Sequence, residues 1–524
     1  MLSYISVMSL TGLALYSCHS MPETCIPPSP TPRNRSKPSF LAAILVWALL
    51  CPACPSFREP LPLVRALPTP ATSKIESALL RRLTEASGEE RLRALVDLTE
   101  QVDLLALIRS PRHARRDKAA RRVATIAALE LVAARQQARI RPRIDRLLEK
   151  GELDYVRPIA IVNRLLVEGR ASALLALSRM PEVARVSSDW TSSERSDRQT
   201  RPPGSVPPLG DHFRSWAISA MGADRLWAQG LRGEGVVVGI IDTGAYGEHE
   251  QLRGRSLQGN RGWFDPVQGI STPYDSHRHG TMVLSLAVGA NPEGRVVGVA
   301  PAALWTVALG NWRNHYSKWR MSETADWMLR VARPDVLVNA WSNDEAECSD
   351  FDLPFINAWK AAEIFVVYPA GNGGPAPETG EAPASLTGTV PDSGPVFSVA
   401  ALTRDGWMQP DSSRGPSNCG SPAFPSITAP GTDLPLASPG SPSAYRTGSG
   451  TSLAAGLMGG AAALLLQADP ELTPSELERI LLESSRDLPP PGRDDVSGAG
   501  SVDLLAALDL VRSTKKRRGT KPRQ

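Results

Sequence analysis

The densest apolar runs of this chain lie in its second half, at 236–241, 296–299, 304–309, 335–340, 364–368 and 396–401. Each is short and continuous rather than alternating, as strands covered on both faces should be. Apolar residues recur at helical spacing over 277–289, 322–332, 354–362, 452–468, 474–485 and 502–512. Strands alternating with helices predict an α/β domain, three layers deep around a mostly parallel sheet, over residues 213–512.

Residues 75–190 carry a different pattern. Arg93–Leu98 reads as a strand, and 115–150, rich in Ala, Arg, Leu and Glu and interrupted only by Pro142, as a long helix. Residues 158–167 read as strand, 171–180 as a short helix and Val183–Val186 as a last strand. This order predicts a separate small α+β unit of ferredoxin-like type. Residues 191–212 are polar, charged and proline-rich, which predicts an exposed linker open to cleavage; 56–74 reads as a second linker. From residue 513 onward the chain is a basic tail around Lys515–Arg518, expected to be disordered.

The apolar run Phe40–Leu50 follows Arg33, Arg35 and Lys37 and precedes small residues, the layout of a secretory signal. It is too short to span a bilayer comfortably. Residues 1–55 are therefore read as a leader, with Met21 as an alternative start, and the product as secreted or periplasmic, without a stable membrane span once the leader is removed. Four of the six cysteines, Cys18, Cys25, Cys51 and Cys54, fall in that leader. Cys348 and Cys419 fall in the large domain, as a disulfide or as two buried thiols; sequence supplies no distance to decide. A net charge of +4 over 524 residues, with no basic stripe interleaved with aromatics, argues against nucleic acid as a partner.

Four short segments carry candidate chemistry. Asp242 closes the run Gly235–Ile241, where a strand end in an open α/β sheet faces the ligand crevice. His279 stands in Asp275-Ser-His-Arg-His-Gly-Thr281, at the opening of an apolar helix. Ser452 opens the Ala-, Gly- and Leu-rich helix in Gly450-Thr-Ser-Leu-Ala454, where the helix dipole favours developing negative charge. Asn372 lies in Ala370-Gly-Asn-Gly-Gly374, as a neutral amide donor or as an ordinary turn residue. A serine hydroxyl becomes a nucleophile only when an imidazole takes its proton and a carboxylate holds that imidazole. His249, His277 and His279 lack the spacing of a known metal motif, so no metal site is assigned. An aspartic peptidase would need a second Asp-Thr-Gly, and an α/β-hydrolase esterase a Gly-x-Ser-x-Gly and the opposite residue order.

The segments "GIIDTG", "HGT", "AGNGG" and "SGTSLAAG", in this order, resemble the subtilisin-like serine peptidases (S8). "SWAISAMGADRLWAQGLRGEGVVVGIIDTG", "SSRGPS" and "ITAPGTDL" place the resemblance closest to the bacillopeptidase F type, over about residues 213–510. The resemblance implies catalysis by Asp242, His279 and Ser452, with Asn372 and the Ser452 N–H as oxyanion donors. "DVLVNAWS" resembles the family's substrate-binding edge, which implies substrate contact at Ala340, Trp341 and Ser342, with Ala370 and Gly371 opposite. Ser342 stands where the family has a glycine beside the first specificity pocket, so its side chain is expected to narrow that pocket. The resemblance further implies an inhibitory propeptide over 75–190, with "MPEVARV" as its last strand threaded into the site. Protein or peptide substrates, a monomer and a reaction needing no cofactor are expected; relatives bind structural calcium, but no loop here is acidic enough to assign it. Arg278, Met282, Gly456 and Leu457 depart from the family pattern, and the loss of proline and histidine at the last two is expected to loosen the start of the serine helix. These departures keep a weakly active or inactive protein-binding homologue as the rival reading.

Overall fold

The computed structural model describes residues 64–67, 74–189, 191–193, 210, 213–342, 348–387 and 395–519. The leader with its cysteines, and most of both linkers, lie outside the described residues.

The small unit comprises β1 (Arg91–Leu98), α1 (Lys118–Glu149), β2 (Leu153–Ile159), β3 (Arg164–Arg170), α2 (Ala171–Ser178) and β4 (Val183–Ser188). Its strands form one antiparallel sheet in the order β2-β3-β1-β4. The single strand expected over 158–167 is a hairpin instead: Ala160–Asn163 turn the chain, and Asn163 adopts a positive φ of 39°. A continuous apolar run hides such a turn, because its residues are buried on both sides of it. Asp117 caps α1 by accepting from the Ala120 N–H at 2.8 Å, and Pro142 sits inside the helix.

The strand expected to thread into the site also differs. Val183–Ser188 pairs with β1 inside the small sheet. The segment that leaves the small unit to pair with the large domain is β5 (Thr191–Ser193), which lies antiparallel to β9 (His315–Ser317). Just before it, the Asp189 carboxylate accepts from the Ser317 hydroxyl at 2.9 Å and the Trp319 N–H at 3.1 Å, at the start of α4 (Lys318–Trp327).

The large domain is built on a seven-stranded sheet. In chain order its strands are β6 (Val237–Asp242), β7 (Trp263–Phe264), β8 (Leu304–Leu309), β10 (Val336–Val338), β11 (Phe365–Pro369), β12 (Ser398–Leu402) and β13 (Ile427–Pro430). All neighbours are parallel, in the spatial order β13-β12-β11-β10-β6-β8-β7. Helices α3 (His279–Val288), α5 (Leu353–Ala361), α6 (Thr451–Ala468), α7 (Pro474–Glu483) and α8 (Leu504–Gly519) complete it. The apolar run 296–299 forms no strand; it is buried beside α3, with only Val296 making isolated bridges. Polar breaks hid β13 from the pattern.

The helix α6 is long and apolar enough to cross a membrane, but nearly all of it is buried against the sheet and α3. Its glycines permit that closeness. A methyl at Gly456 would lie 2.8 Å from the Val283 carbonyl oxygen, and one at Gly460 2.5 Å from that of Ala287. Gly456 and Leu457, expected to loosen the helix, are instead fully buried in its packing against α3. The basic tail is helical through Gly519, because Arg518 pairs with Asp469 at 3.0 Å and Lys515 donates to the Ala468 carbonyl at 3.0 Å. Cys348 and Cys419 are joined as a disulfide.

Candidate active site

Asp242 is the last residue of β6 and is completely buried. Its Oδ1 accepts the Thr243 N–H at 2.6 Å. His279 opens α3, and its Nδ1 lies 2.9 and 3.0 Å from the two oxygens of Asp242. A carboxylate so placed fixes the ring's orientation and stabilises its charged form.

The seam between these elements is tight. A methyl at Gly280 would fall 2.1 Å from the Gly244 carbonyl oxygen, and one at Gly244 2.1 Å from that of Tyr274. Asp275, which the sequence reading did not assign, organises the loop before the helix. Its Oδ1 accepts the Thr243 hydroxyl at 2.7 Å and the N–H groups of His277 at 3.0 Å and Arg278 at 2.7 Å. Its Oδ2 accepts the N–H and the hydroxyl of Thr281. The signal was available: an aspartate just before a helix start, with a threonine in the first turn. Arg278 holds φ at +81°, a conformation glycine adopts freely. A residue with a side chain holds this backbone turn at a strain of about 1–2 kcal/mol.

Ser452 lies in the first turn of α6, after Gly450 at φ +147°. Its hydroxyl donates to the Ala340 carbonyl at 3.0 Å, which ties the nucleophile candidate to the segment following β10. Asn372 follows β11. Its Oδ1 accepts from both the Thr451 N–H at 3.0 Å and the Thr451 hydroxyl at 2.9 Å. Two donors on one oxygen set the amide's orientation, so the NH₂ end turns away from Thr451. Thr451, also missed from sequence, thereby aims the amide; its hydroxyl lies 3.1 Å from the Gly371 carbonyl as well.

Of the expected substrate-contacting residues, Ala340 touches Ser452 directly, whereas the Trp341 side chain does not face the site. It is 2% exposed and packs with Tyr316 and Tyr368, ring centroids 5.5 and 5.3 Å apart. Successive side chains of an extended segment point to opposite faces, so Ala340 and Ser342 lie on one side and Trp341 on the other. Ser342 donates to the Glu381 carboxylate. Ala370 is fully buried, and Gly371 holds φ at +105°. His249 sits apart, its Nε2 2.8 Å from the Ala444 carbonyl oxygen and its ring edge-on to Tyr445; burial lowers its pKa. Among the described residues, no group of three His, Cys, Asp or Glu side chains is placed to hold a metal ion.

The sequence profile of the subtilase family matches residues 233–500. Bacillopeptidase F of Bacillus subtilis (strain 168) is 25% identical over 91% of this chain and 36% of its own length. Serine protease AprX of the same organism is 32% identical over 52% of this chain and 66% of its own length. Subtilisin DY of Bacillus licheniformis is 26% identical over 56% of this chain and 97% of its own length. The chain thus spans about a third of the first of these relatives and just under two thirds of the second.

Proposed function

Because this chain belongs to the subtilase family (peptidase S8), we propose that it is a serine endopeptidase that hydrolyses protein or peptide substrates. Ser452 attacks the peptide carbonyl as His279 takes its proton through Nε2. Asp242 holds the imidazolium that forms. The Asn372 amide and the Ser452 N–H receive the charge on the tetrahedral oxygen, and His279 then protonates the leaving amine. Water hydrolyses the acyl-enzyme by the same route in reverse. Every proton transfer runs between side chains of this chain and its substrate, so no cofactor enters the reaction. The observation that carries this reading is the His279 Nδ1 held 2.9 and 3.0 Å from a fully buried carboxylate at a strand end.

The reading includes synthesis as a zymogen. What supports it is the docking of the small unit. Arg157 pairs with Glu323 at 2.6 Å, the Ala160 and Ile161 N–H groups both donate to Asp326 at 2.9 Å, and Arg164 donates to Ser322 at 3.0 Å. Arg121 and Arg122 pair with Glu363 and Asp335. The strand Thr191–Ser193 then pairs antiparallel with His315–Ser317 in a two-stranded sheet that joins the linker to the large domain. A unit held so, and leaving through a polar linker, is suited to act as an intramolecular inhibitor cut away within 191–212. The signal-like leader supports export.

Two measurements test the proposal together: labelling by a fluorophosphonate, and intact mass of the wild type and Ser452→Ala. The expected result is labelling and loss of the N-terminal part in the wild type, and neither in the variant. A folded wild type that stays whole and unlabelled would favour the protein-binding rival.

A further inference from the structure

The segment Asp411-Ser-Ser-Arg-Gly-Pro-Ser417 supplies no member of the triad, yet it runs against the turn that carries Asn372. Ser413 is completely buried there. Its N–H donates to the Gly371 carbonyl at 2.9 Å, and its Oγ accepts the Gly373 N–H at 2.9 Å. These two groups belong to the two peptide planes that meet at the Asn372 Cα. Holding both planes fixes the φ and ψ of Asn372, and with them the direction in which its side chain leaves the backbone. The turn is shaped for this contact: a methyl on Gly371 would stand 2.8 Å from the Ser413 Oγ, so glycine leaves the room. Ser413 is itself held. The Ser412 Oγ accepts the Ala401 N–H of β12 at 3.1 Å, and the Asp411 carbonyl accepts the Gly374 N–H at 3.0 Å. On the other side, Arg414 and Thr379 exchange two hydrogen bonds, at 2.9 and 3.0 Å.

We propose that Ser413 is a positioning residue for the oxyanion-binding amide: Thr451 sets the rotation of the Asn372 side chain, and Ser413 sets the backbone from which it projects. The proposal rests on the peptidase reading given above. An amide that must meet a charge formed only in the transition state is effective when its place is fixed beforehand. Removing the Ser413 hydroxyl deprives the Gly373 N–H of its acceptor and frees the second of the two planes.

The test is a double-mutant cycle on the matured full chain: wild type, Ser413→Ala, Asn372→Ala and the double variant. Variants that mature slowly are cut by tagged wild type, which is then removed. Hydrolysis of a fluorogenic peptide amide is scaled to sites counted by fluorophosphonate. Ser413→Ala is expected to lower kcat by about 5- to 10-fold with KM within about twofold, and Asn372→Ala to lower kcat by about 100- to 1000-fold. In the Asn372→Ala background the serine substitution is expected to cost less than about twofold, because the group it places is gone. A peptide aldehyde, whose adduct carries the oxyanion, should bind Ser413→Ala more weakly by the factor that kcat loses, and the matching alcohol should bind unchanged. Ser413→Cys keeps the volume with a weak acceptor; it should fall as Ser413→Ala does, and it carries the same cycle if the alanine variant does not fold. Equal losses in the two backgrounds, a loss confined to KM, or an unchanged kcat overturns the proposal. A wild type that neither labels nor cleaves the peptide overturns the peptidase reading beneath it.

Discussion

Replacing Gly280 by alanine probes whether the approach of α3 to β6 sets the geometry of the His279–Asp242 pair. The added methyl would meet the Gly244 carbonyl oxygen at 2.1 Å, where a carbon needs at least 3.0 Å, so the two backbones must separate by about 0.9 Å. Neither side yields easily. The Gly280 N–H is tied to the Thr243 hydroxyl at 2.9 Å, and Gly244 itself lies against the Tyr274 carbonyl. His279 and Asp242 are the chain neighbours of these two contacts and move with them. A misplacement near 1 Å lowers the rate by about 100-fold, or about 2.7 kcal/mol of transition-state stabilisation. The loss should appear in kcat, with KM moving little, because the proposed substrate edge at Ala340–Ser342 follows β10, a different element. The assay is steady-state hydrolysis of a peptide amide, scaled to sites counted by fluorophosphonate, with the thermal midpoint followed in parallel. A folded Gly280→Ala enzyme retaining kcat within about threefold of wild type would refute the reasoning.

Three further outcomes follow from particular contacts. Thr451→Val removes one of the two donors that orient the Asn372 amide, and kcat should fall by about 5- to 10-fold, the worth of one hydrogen bond, in the same steady-state assay. Burial lifts the Glu323 carboxyl from its ordinary 4.5 to about 7, against the opposing pull of Arg157, Arg93 and Arg320. A raised carboxyl stabilises the fold fully below about pH 4.5, and that contribution is lost as pH rises through 7. Thermal midpoints of the unprocessed Ser452→Ala chain should therefore carry a downward term across this window, and adding Glu323→Gln should remove it; an identical slope in both refutes the assignment. Replacing both Cys348 and Cys419 by serine opens a loop of sequence separation 71, and denaturant unfolding should show a loss of about 2–4 kcal/mol.

Each candidate catalytic residue was legible because its chemistry demands a local backbone setting that leaves a local trace. Asp242 ends a continuous apolar strand, His279 and Ser452 open apolar helices, and Asn372 sits in a glycine-rich turn. Most of the parallel sheet was also legible, since strands buried on both faces tend to read as continuous apolar runs, whereas β13, which buries Thr428, did not. Tertiary structure alone brought Thr451 to Asn372 across 79 residues, Ser342 to Glu381 across 39, and Thr191–Ser193 alongside His315–Ser317. It also turned Trp341 into the core and kept the basic tail helical against Asp469. These contacts join groups from different elements. Whether a glutamate or a threonine orients a neighbour or merely meets water depends on where the folded backbone carries it, and no pattern confined to a few consecutive residues encodes that distance.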